Sequence, residues 1–380
     1  MMEQELRPIA IYLPQFQPIQ ENDEWWGKGF TEWRNVTKAK PLFKGHYQPH
    51  LPADLGYYDL RVPETREEQA RLAREYGIHG FCYYHYWING RRILERTFEE
   101  VFESGKPDFP FMLCWANENW TRTWDGADTH VLLEQEYCVE DDRNHIKALI
   151  PYFKDQRYIR INDRPVIAIY RSPLIPDVKQ TVRIWKEEAK KEGLDLYVCR
   201  FESFTEFGED YLEAGDFDAA IDFQPFGNFL DDFKVAKEEK ARLEIGRRTK
   251  EKIHRNVLRM ISRELHDEFL EIKRRVFDYA DYVDFVKTRP YPEYPWFPCV
   301  TPSWDNFARK SKNYFMFHNS TPEKYGEWLR DIKARFKPRS PEENLVFINA
   351  WNEWAEGNHL EPDLKWGRQY LEQTRDALQG

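Results

Sequence analysis

The stretch Leu345-Val346-Phe347-Ile348-Asn349-Ala350-Trp351-Asn352-Glu353-Trp354-Ala355-Glu356-Gly357-Asn358 joins an apolar run to asparagines, tryptophans and glutamates. A short apolar run of this kind predicts a buried strand. The residues that follow it therefore lie at the carboxyl end of that strand. Glutamates rarely stand beside tryptophans unless they are paired, hydrogen-bonded or used in chemistry. This stretch indicates a strand that ends in a functional site.

Seven similar runs precede this one, and amphipathic helical patterns separate most of them. The predicted strands are Ile9–Leu13, Gly80–Tyr86, Phe109–Trp115, Val166–Tyr170, Leu196–Phe201, Ala219–Phe223, Phe297–Thr301 and Leu345–Ala350. Clear helical patterns are Pro63–Tyr76, Leu94–Ser104, Val178–Glu192 and Pro322–Phe336. Strands that alternate with helices indicate parallel βαβ units, and eight such units predict an α/β fold of the (β/α)₈ TIM barrel type. A doubly wound sheet is the alternative, but the sequence lacks its glycine-rich phosphate-binding fingerprint.

The length of 380 residues exceeds that of a minimal barrel. We expect one elaborated domain over residues 1–380, with long loops after the first and third strands. A highly charged, mostly helical insertion is expected at about 226–294. Its basic run Arg247–Arg255 could be a patch for an anionic ligand or polysaccharide, or a solvated helix face.

Charge and cysteine content exclude several classes of protein. The net charge of −10 argues against a general binder of nucleic acid or anionic membranes. No apolar stretch approaches the length of a membrane span, and the acidic N-terminus is not a signal peptide. We therefore expect a cytoplasmic protein that does not insert into membranes. The five cysteines include no CxxC pair and imply no disulfide framework.

Metal and cofactor motifs are also lacking. The sequence has no HExxH motif and no His/Cys ligand spacing, so no metal and no cofactor is predicted. Asp216-Phe217-Asp218 has the DxD form by which many sugar-nucleotide transferases hold a metal. It precedes the strand Ala219–Phe223, which would place it at the wrong end of a barrel.

Aromatic residues make up 16% of the chain, and many stand beside polar residues. An aromatic core is the simplest explanation of the number alone. However, rings mixed with fixed polar groups are typical of a pocket for an amphipathic ligand such as a sugar. Candidate substrate contacts at the predicted strand ends are Tyr12, Gln15, His85, Tyr86, Trp115, Asn117, Glu118, Trp120, Glu202, Gln224, Trp304, Trp351 and Asn352. Each of them alone could equally be structural, and His85 could be a satisfied inner histidine.

Glu353 and Glu356 are the candidate catalytic residues. If the chain turns helically here, positions three apart lie on one face. Two close carboxylates disfavour double ionisation, so the pKa of one is raised and the pair divides into an acid and a base. Glycoside cleavage needs such a pair. The alternative is a helix N-terminus, where acids are favourable, and Glu361 and Asp363 fit that alternative better.

Five segments together resemble the WbsX-like proteins of bacterial O-antigen and capsule gene clusters, which are often labelled glycosyltransferases. These segments are Ile11–Phe16, Gly29–Trp33, Gly80–Trp87, Trp115–Trp120 and Trp351–Gly357. The Asn-Glu-Trp-x-Glu-Gly element is more distantly similar to glycoside hydrolase family 99, the endo-acting α-mannosidases and α-mannanases. That family commonly has a different residue where Ala355 stands.

The distant resemblance implies a barrel and a metal-free retaining mechanism. Glu353 would act as base on the sugar 2-hydroxyl and form a 1,2-anhydro intermediate. Glu356 would protonate the leaving oxygen and then activate water. We therefore expect a glycoside hydrolase-like enzyme that cleaves an α-linked bacterial polysaccharide or its precursor. The alternatives are a glycosyltransferase of polysaccharide biosynthesis and a non-catalytic carbohydrate-binding scaffold.

Overall fold

The protein forms a barrel of parallel strands. The structure, a computed structural model, describes residues 5–122, 127–203, 206–227, 229–243, 272, 274–310 and 313–379. The barrel strands are β1 (Arg7–Tyr12), β2 (Gly80–Ile88), β3 (Phe111–Trp115), β4 (Arg164–Ile169), β5 (Tyr197–Glu202), β6 (Ala219–Asp222), β7 (in two pieces, Trp296–Phe297 and Cys299–Val300) and β8 (Leu345–Ile348). Each corresponds to a predicted apolar run, so the predicted (β/α)₈ TIM barrel is confirmed.

The strand order closes the sheet on itself. β1 lies between β2 and β8, with Ile9 opposite Phe347 of β8. The first piece of β7 pairs with β6 and the second piece pairs with β8, all in parallel. Pro298 separates the two pieces and has no N–H to donate. Its carbonyl oxygen still accepts a hydrogen bond from the backbone N of Phe347 at 2.8 Å, which holds β7 against β8.

Helices surround the barrel strands, and the first two of them belong to the long segment after β1. They are α1 (Gln20–Trp26), α2 (Trp33–Lys38), α3 (Pro63–Glu75), α4 (Arg96–Ser104), α5 (Val139–Phe153), α6 (Val178–Lys191), α7 (Glu209–Gly215), α8 (Leu230–Leu243), α9 (Tyr279–Lys287), α10 (Pro322–Arg335) and α11 (Gln369–Gln379). α3, α4, α6 and α10 agree with the predicted helices within two residues. Pro63 and Pro322 occupy first turns, where a missing N–H costs nothing. No helix in the described part of the chain is both long and apolar enough to cross a bilayer.

Short strands and 3₁₀ turns lie in the loops that connect the barrel strands and helices. Arg91–Ile93 and Arg160–Ile161 pair antiparallel with β2 and β4, respectively. The other short pairs are Trp120–Arg122 with Ala127–Leu133, Val276–Asp278 with Met316–His318, and Asn352–Glu353 with Asn358–His359. The 3₁₀ turns are Ser172–Leu174, Asn306–Ala308 and Trp354–Glu356. Several of these elements follow carboxyl ends of barrel strands, where they build one end of the barrel into a site.

The described part of the predicted insertion at about 226–294 contains α8 and α9, together with the short strand Val276–Asp278. The basic run Arg247–Arg255 lies outside the described residues. The DxD triplet lies just before β6, as expected. Asp218 accepts hydrogen bonds from the backbone N of Val198 and from Arg164, at 2.9 and 2.6 Å. These contacts hold the triplet at the amino end of the strands.

Candidate active site

A small hairpin after β8 carries the two candidate glutamates. Its strands Asn352–Glu353 and Asn358–His359 pair antiparallel, and the 3₁₀ turn Trp354–Glu356 joins them. This turn agrees with the helical turn expected from the spacing. Gly357 follows it with a φ of +57°, and an added Cβ would lie 3.1 Å from the Cβ of Asp305. Glycine is therefore required by both the backbone conformation and the space.

Asn352 fastens this hairpin to the end of β1. Its Oδ1 accepts a hydrogen bond from the backbone N of Leu13 at 2.7 Å, and its Nδ2 donates to the carbonyl of Leu13 at 3.0 Å. Asn352 is fully buried. It was expected to touch substrate, but its amide is used on both sides by the backbone. Asn352 therefore positions Glu353 rather than lining the site.

Arg309 bridges both candidate glutamates. Its Nη2 lies 2.7 Å from Oε2 of Glu353, and its Nη1 lies 2.9 Å from Oε1 of Glu356. Nη2 also lies 3.5 Å from Oε2 of a third carboxylate, Glu32, whose side chain is fully buried. One guanidinium thus holds three carboxylates, and its fixed planar fork suits this bridging.

Burial and neighbouring charges shift the pKa of Glu356, Glu32 and Arg309. Burial raises the pKa of Glu356 to about 7; Arg309 lowers it, whereas Glu353 and Glu32 raise it further. Burial also raises the pKa of Glu32, and Arg309 opposes that shift. Burial alone would lower the pKa of Arg309, but the three carboxylates raise it well above its usual value. Glu356 can therefore hold a proton near neutral pH while Arg309 stays charged.

The glutamates open onto a cavity of about 900 Å³. About 15% of the Glu356 side chain and 6% of the Glu353 side chain is exposed, so both can reach a ligand. The predicted contacts that line the cavity are Gln15, Tyr86, Glu118, Trp120 and Trp304. Further aromatic residues complete the wall, namely Trp25, Trp26, Tyr84, Tyr137, Tyr170, Phe223, Phe226 and Phe315. The predicted mixture of rings and fixed polar groups is therefore present at this end of the barrel.

Contacts among the lining residues fix their orientation. Nε2 of Gln15 donates to the hydroxyl of Tyr86 at 3.2 Å, and the ring of Tyr86 meets the edge of Trp120 at 5.4 Å. Nη1 of Arg171 donates to Glu118 at 2.9 Å. These side chains are held in place before a ligand arrives.

His85 does not line the cavity, which corrects the prediction of a ligand contact. Successive side chains of a strand point to opposite faces, so Tyr84 and Tyr86 face the cavity while His85 faces α5. There its Nε2 lies 3.0 Å from Nε2 of His145. Burial lowers the pKa of His85 to about 3. His85 is the satisfied inner histidine that the sequence left as the alternative.

Three more predicted contacts are also turned away from the cavity. The hydroxyl of Tyr12 donates to Gln69 of α3 at 2.8 Å. Nε1 of Trp115 donates to the backbone carbonyl of Trp87 at 3.1 Å. Asn117 is fully buried and bonds the backbone N and O of Arg171. Their polar atoms are consumed by structural hydrogen bonds, which corrects the expectation that they bind substrate.

The predicted contacts Glu202, Gln224 and Trp351 lie in closed surroundings as well. Glu202 accepts hydrogen bonds from the hydroxyl of Tyr294 at 2.9 Å and from a backbone N–H. Oε1 of Gln224 accepts from the hydroxyl of Tyr282 at 2.6 Å. Trp351 has no exposed surface. These residues support the strand ends from behind the cavity wall.

Glu361 is not the helix N-terminal acid that the sequence suggested, because α11 begins only at Gln369. It is 2% exposed. Its oxygens accept hydrogen bonds from Tyr58 at 2.7 Å, Gln69 at 2.6 Å and Nε1 of Trp354 at 2.6 Å. Burial raises the pKa of Glu361 to about 7, and these donors oppose the shift. The same correction applies to Asp363, which is also buried and precedes α11.

Arg309 and Glu32 are the charged residues of this cluster that the sequence did not single out. Arg309 follows the 3₁₀ turn after β7. The feature of the sequence that could have identified it is a basic residue shortly after the end of a strand. Glu32 belongs to a segment that carried the family resemblance, but nothing in the sequence pairs it with Arg309.

Among the described residues, one group could hold a metal ion, namely His50, His359 and Asp363. It lies at a second, smaller cavity that shares Trp304 with the first.

Comparison with known families gives one match over nearly the whole chain. Residues 8–374 match the family model described as glycosyltransferase WbsX. The protein WxcX of Xanthomonas campestris pv. campestris (strain B100) is 39% identical over 372 residues, which are 97% of this chain and 49% of WxcX. WxcX of strain ATCC 33913 is 38% identical over the same lengths. The chain thus spans about half the length of these relatives.

Solved structures share the fold at low sequence identity. The family 99 endo-α-mannosidase of Bacteroides thetaiotaomicron superposes with a TM-score of 0.58 at 12% identity, covering 98% of this chain and 96% of that enzyme. A glycoside hydrolase-like protein superposes with a TM-score of 0.57 at 13% identity, covering 100% and 95%. At this level of identity the likeness shows a shared fold.

Proposed function

This chain belongs to the WbsX glycosyltransferase family, and from the geometry of its site we propose that it cleaves α-linked glycosidic bonds. The substrate would be a bacterial polysaccharide or its precursor. The observation that carries the proposal is the bridged pair Glu353 and Glu356 on the wall of an aromatic cavity. Barrel enzymes build their active sites at this end of the strands.

Glu356 is suited to be the general acid. Its pKa of about 7, raised by burial, leaves a proton on the carboxyl group near neutral pH. In the first step Glu356 would give this proton to the glycosidic oxygen as the bond to the anomeric carbon breaks. A positioned acid of this kind contributes typically about 10²- to 10⁴-fold to the rate.

Glu353 is suited to be the base of the same step. It would remove the proton from the sugar 2-hydroxyl, whose oxygen then bonds to the anomeric carbon and forms a 1,2-anhydro sugar. In the second step Glu356 would take a proton from water, which opens the ring, and the 2-oxygen would recover its proton from Glu353. The pairing of Glu353 with Arg309 at 2.7 Å supports this role, because it fixes the carboxylate toward the cavity.

The cavity supports an oligosaccharide as ligand. Its volume of about 900 Å³ lies at the upper end of the usual range for small-molecule sites, about 300–1,000 Å³. Sugars have apolar faces and polar edges, and the wall offers rings such as Trp25, Trp120 and Trp304 beside Gln15 and Glu118. This combination supports a carbohydrate over a purely apolar ligand.

Glycosyl transfer is the second candidate, and the family description favours it. Arg309 and Lys310 are cations at the cavity that could meet a diphosphate. Against this candidate, the DxD aspartates are bonded at the amino end of β6 rather than at the cavity. Hydrolysis therefore remains the better-supported proposal.

The decisive experiment uses the polysaccharide repeat of the source strain as substrate. We expect NMR to detect a newly released reducing end with retained configuration, and Glu356→Gln to release none on the same timescale. Inverted configuration would contradict the 1,2-anhydro route. Absence of cleavage together with micromolar binding of a sugar nucleotide, measured by calorimetry, would favour glycosyl transfer instead.

A further inference from the structure

A second cavity of about 70 Å³ lies beside the hairpin that carries the glutamates. Several histidines and two aspartates line it, including His46, His318 and Asp305. His50, His359 and Asp363 stand out, because each offers one ligand atom and these atoms lie within 4.8 Å of one another. All three side chains are buried, with at most 6% of each residue exposed.

The distances suit a single bound ion. Nδ1 of His50 lies 2.9 Å from Nε2 of His359, and that Nε2 lies 3.9 Å from Oδ2 of Asp363. Around a tetrahedral Zn²⁺ with bonds of about 2.0–2.2 Å, ligand atoms stand about 3.3 Å apart. The first distance would have to lengthen by about 0.4 Å and the second to shorten by about 0.6 Å, while the atoms of His50 and Asp363 already lie within 4.8 Å of each other.

The protonation of His359 leaves the required lone pair. Its Nδ1 lies 2.9 Å from the backbone carbonyl of Glu361, which can only accept, so Nδ1 carries the hydrogen. In the neutral ring Nε2 is then an acceptor that faces His50. Metal-binding histidines almost always donate their other N–H to a carbonyl or carboxylate in this way.

Asp363 is oriented by backbone N–H groups, and its carboxylate makes no close ion pair with a Lys or Arg in the described part of the chain. Its Oδ1 accepts hydrogen bonds from the backbone N–H groups of Lys365 and Trp366, at 3.0 and 2.6 Å. The other oxygen, Oδ2, lies on the side of His359, 3.9 Å from its Nε2. Within the described ranges, no Lys or Arg nitrogen lies within 4.0 Å of this carboxylate, and the Lys365 ammonium sits over the rings of Tyr47 and Trp366. A buried carboxylate without a counter-charge is costly unless it is paired or coordinates a metal.

We propose that His50, His359 and Asp363 bind a divalent transition metal, with Zn²⁺ as the best fit. Two imidazoles and one carboxylate are ligands that zinc prefers, and water from the cavity would fill the fourth position. Binding moves the proton of His50 from Nδ1 to Nε2, so no net proton is released. The ion would lie in the second cavity, whose lining does not include Glu353 or Glu356.

The position of His359 gives the ion a role. His359 pairs with Asn352 across the hairpin, and His50 belongs to the segment after β1. An ion shared by them would clamp the hairpin of Glu353 and Glu356 to that segment. This inference does not depend on which reaction the glutamates perform.

The test measures metal content and stability, without any substrate. The full chain is stripped with EDTA, dialysed and titrated with Zn²⁺ by calorimetry and thermal melting. We expect one Zn²⁺ per chain and a rise in Tm of several degrees. His50→Ala and Asp363→Asn should each weaken binding by at least about 100-fold. His318→Asn is the matched control, since His318 lines the same cavity outside the three ligands.

Two results would overturn the proposal. One is a stripped chain that binds no Zn²⁺ at 100-fold molar excess. The other is equal binding by His318→Asn, His50→Ala and Asp363→Asn, which would place the ion elsewhere. If either ligand variant does not fold, Co²⁺ bound to the unaltered chain decides, because its visible spectrum distinguishes tetrahedral nitrogen and oxygen ligation from the octahedral aquo ion.

Discussion

Glu356 and Glu361 stand five residues apart on one connection, and burial raises the pKa of each to about 7. Their surroundings differ. Glu356 contacts the charged Arg309 and opens onto the cavity, with 15% of its side chain exposed. Glu361 is 2% exposed and is enclosed by neutral donors from Tyr58, Gln69 and Trp354. A raised pKa therefore does not by itself identify a catalytic acid; access to the ligand separates the two.

The two environments also stabilise the carboxyl groups by different means. Arg309 supplies a full charge that is shared among three carboxylates, so the protonation of one affects the others. Around Glu361, three hydrogen bonds from neutral groups hold one carboxyl in a fixed orientation. Substitution of Glu356 should therefore change the rate of the reaction, and substitution of Glu361 should change the stability of the fold.

The largest expected effect is on turnover. Glu356→Gln removes the proton donor while keeping the size of the side chain, and turnover should fall by roughly 10²- to 10⁴-fold. Glu361→Gln is the matched control, because it makes the same chemical change outside the cavity. Its turnover per folded molecule should stay within about threefold of the unaltered enzyme. Equal losses in the two variants, measured on the same polysaccharide, would remove the functional distinction between them.

The next effect is on stability. In Glu361→Gln the new amide N–H₂ must face one of the donors that now meet a carboxylate oxygen. Leaving a buried polar group unpaired costs about 1–3 kcal/mol, so urea unfolding should show a loss of this size. Glu356→Gln should lose less, since solvent from the cavity can reach its amide. A Glu361 variant as stable as the unaltered chain would mean that the three hydrogen bonds contribute little.

The barrel could be predicted from the sequence because its signals are local. Each strand is a short apolar run and each helix an amphipathic one, so eight units could be counted without knowing which strands pair. The cavity was predicted for a similar reason, since Tyr86, Trp120 and Trp304 follow strand ends. His85 was misplaced because the alternation of β2 depends on a register that the sequence does not show.

The charge cluster and the histidine cluster could not be predicted, because tertiary structure assembles them. Glu32 and Glu353, which both contact Arg309, lie 277 and 44 residues away from it in the sequence. His50 and His359 are 309 residues apart and match no ligand spacing. Glu361 was predicted to be an acid at a helix N-terminus, because two of its three donors, Tyr58 and Gln69, are distant in the sequence. In each case the sequence shows the residue type but not its partner.

The smallest expected effect is a shift in pH dependence. The acid form of Glu356 is the active one, so kcat/KM should fall tenfold per unit above a pKa of about 7. Arg309 lowers this pKa, and its Nη1 supplies the contact with Glu356 at 2.9 Å. In Arg309→Lys a single ammonium cannot bridge both glutamates, and the shorter contact, to Glu353, should be kept. The pKa of Glu356 should then rise, which moves the falling limb of the pH profile to higher pH.

Lys310→Met is the control for this shift. Lys310 also lowers the pKa of Glu356, but by less than Arg309 does. The falling limb of the pH profile should therefore also move to higher pH in Lys310→Met, but by less than in Arg309→Lys. The position of the limb is independent of the absolute rate, so a general loss of activity does not obscure it.

A limb that stays in place or moves to lower pH in Arg309→Lys would mean that Glu356 is not the group that titrates. Glu361, whose pKa is equally raised but which does not contact Arg309, would then be the carboxyl to test.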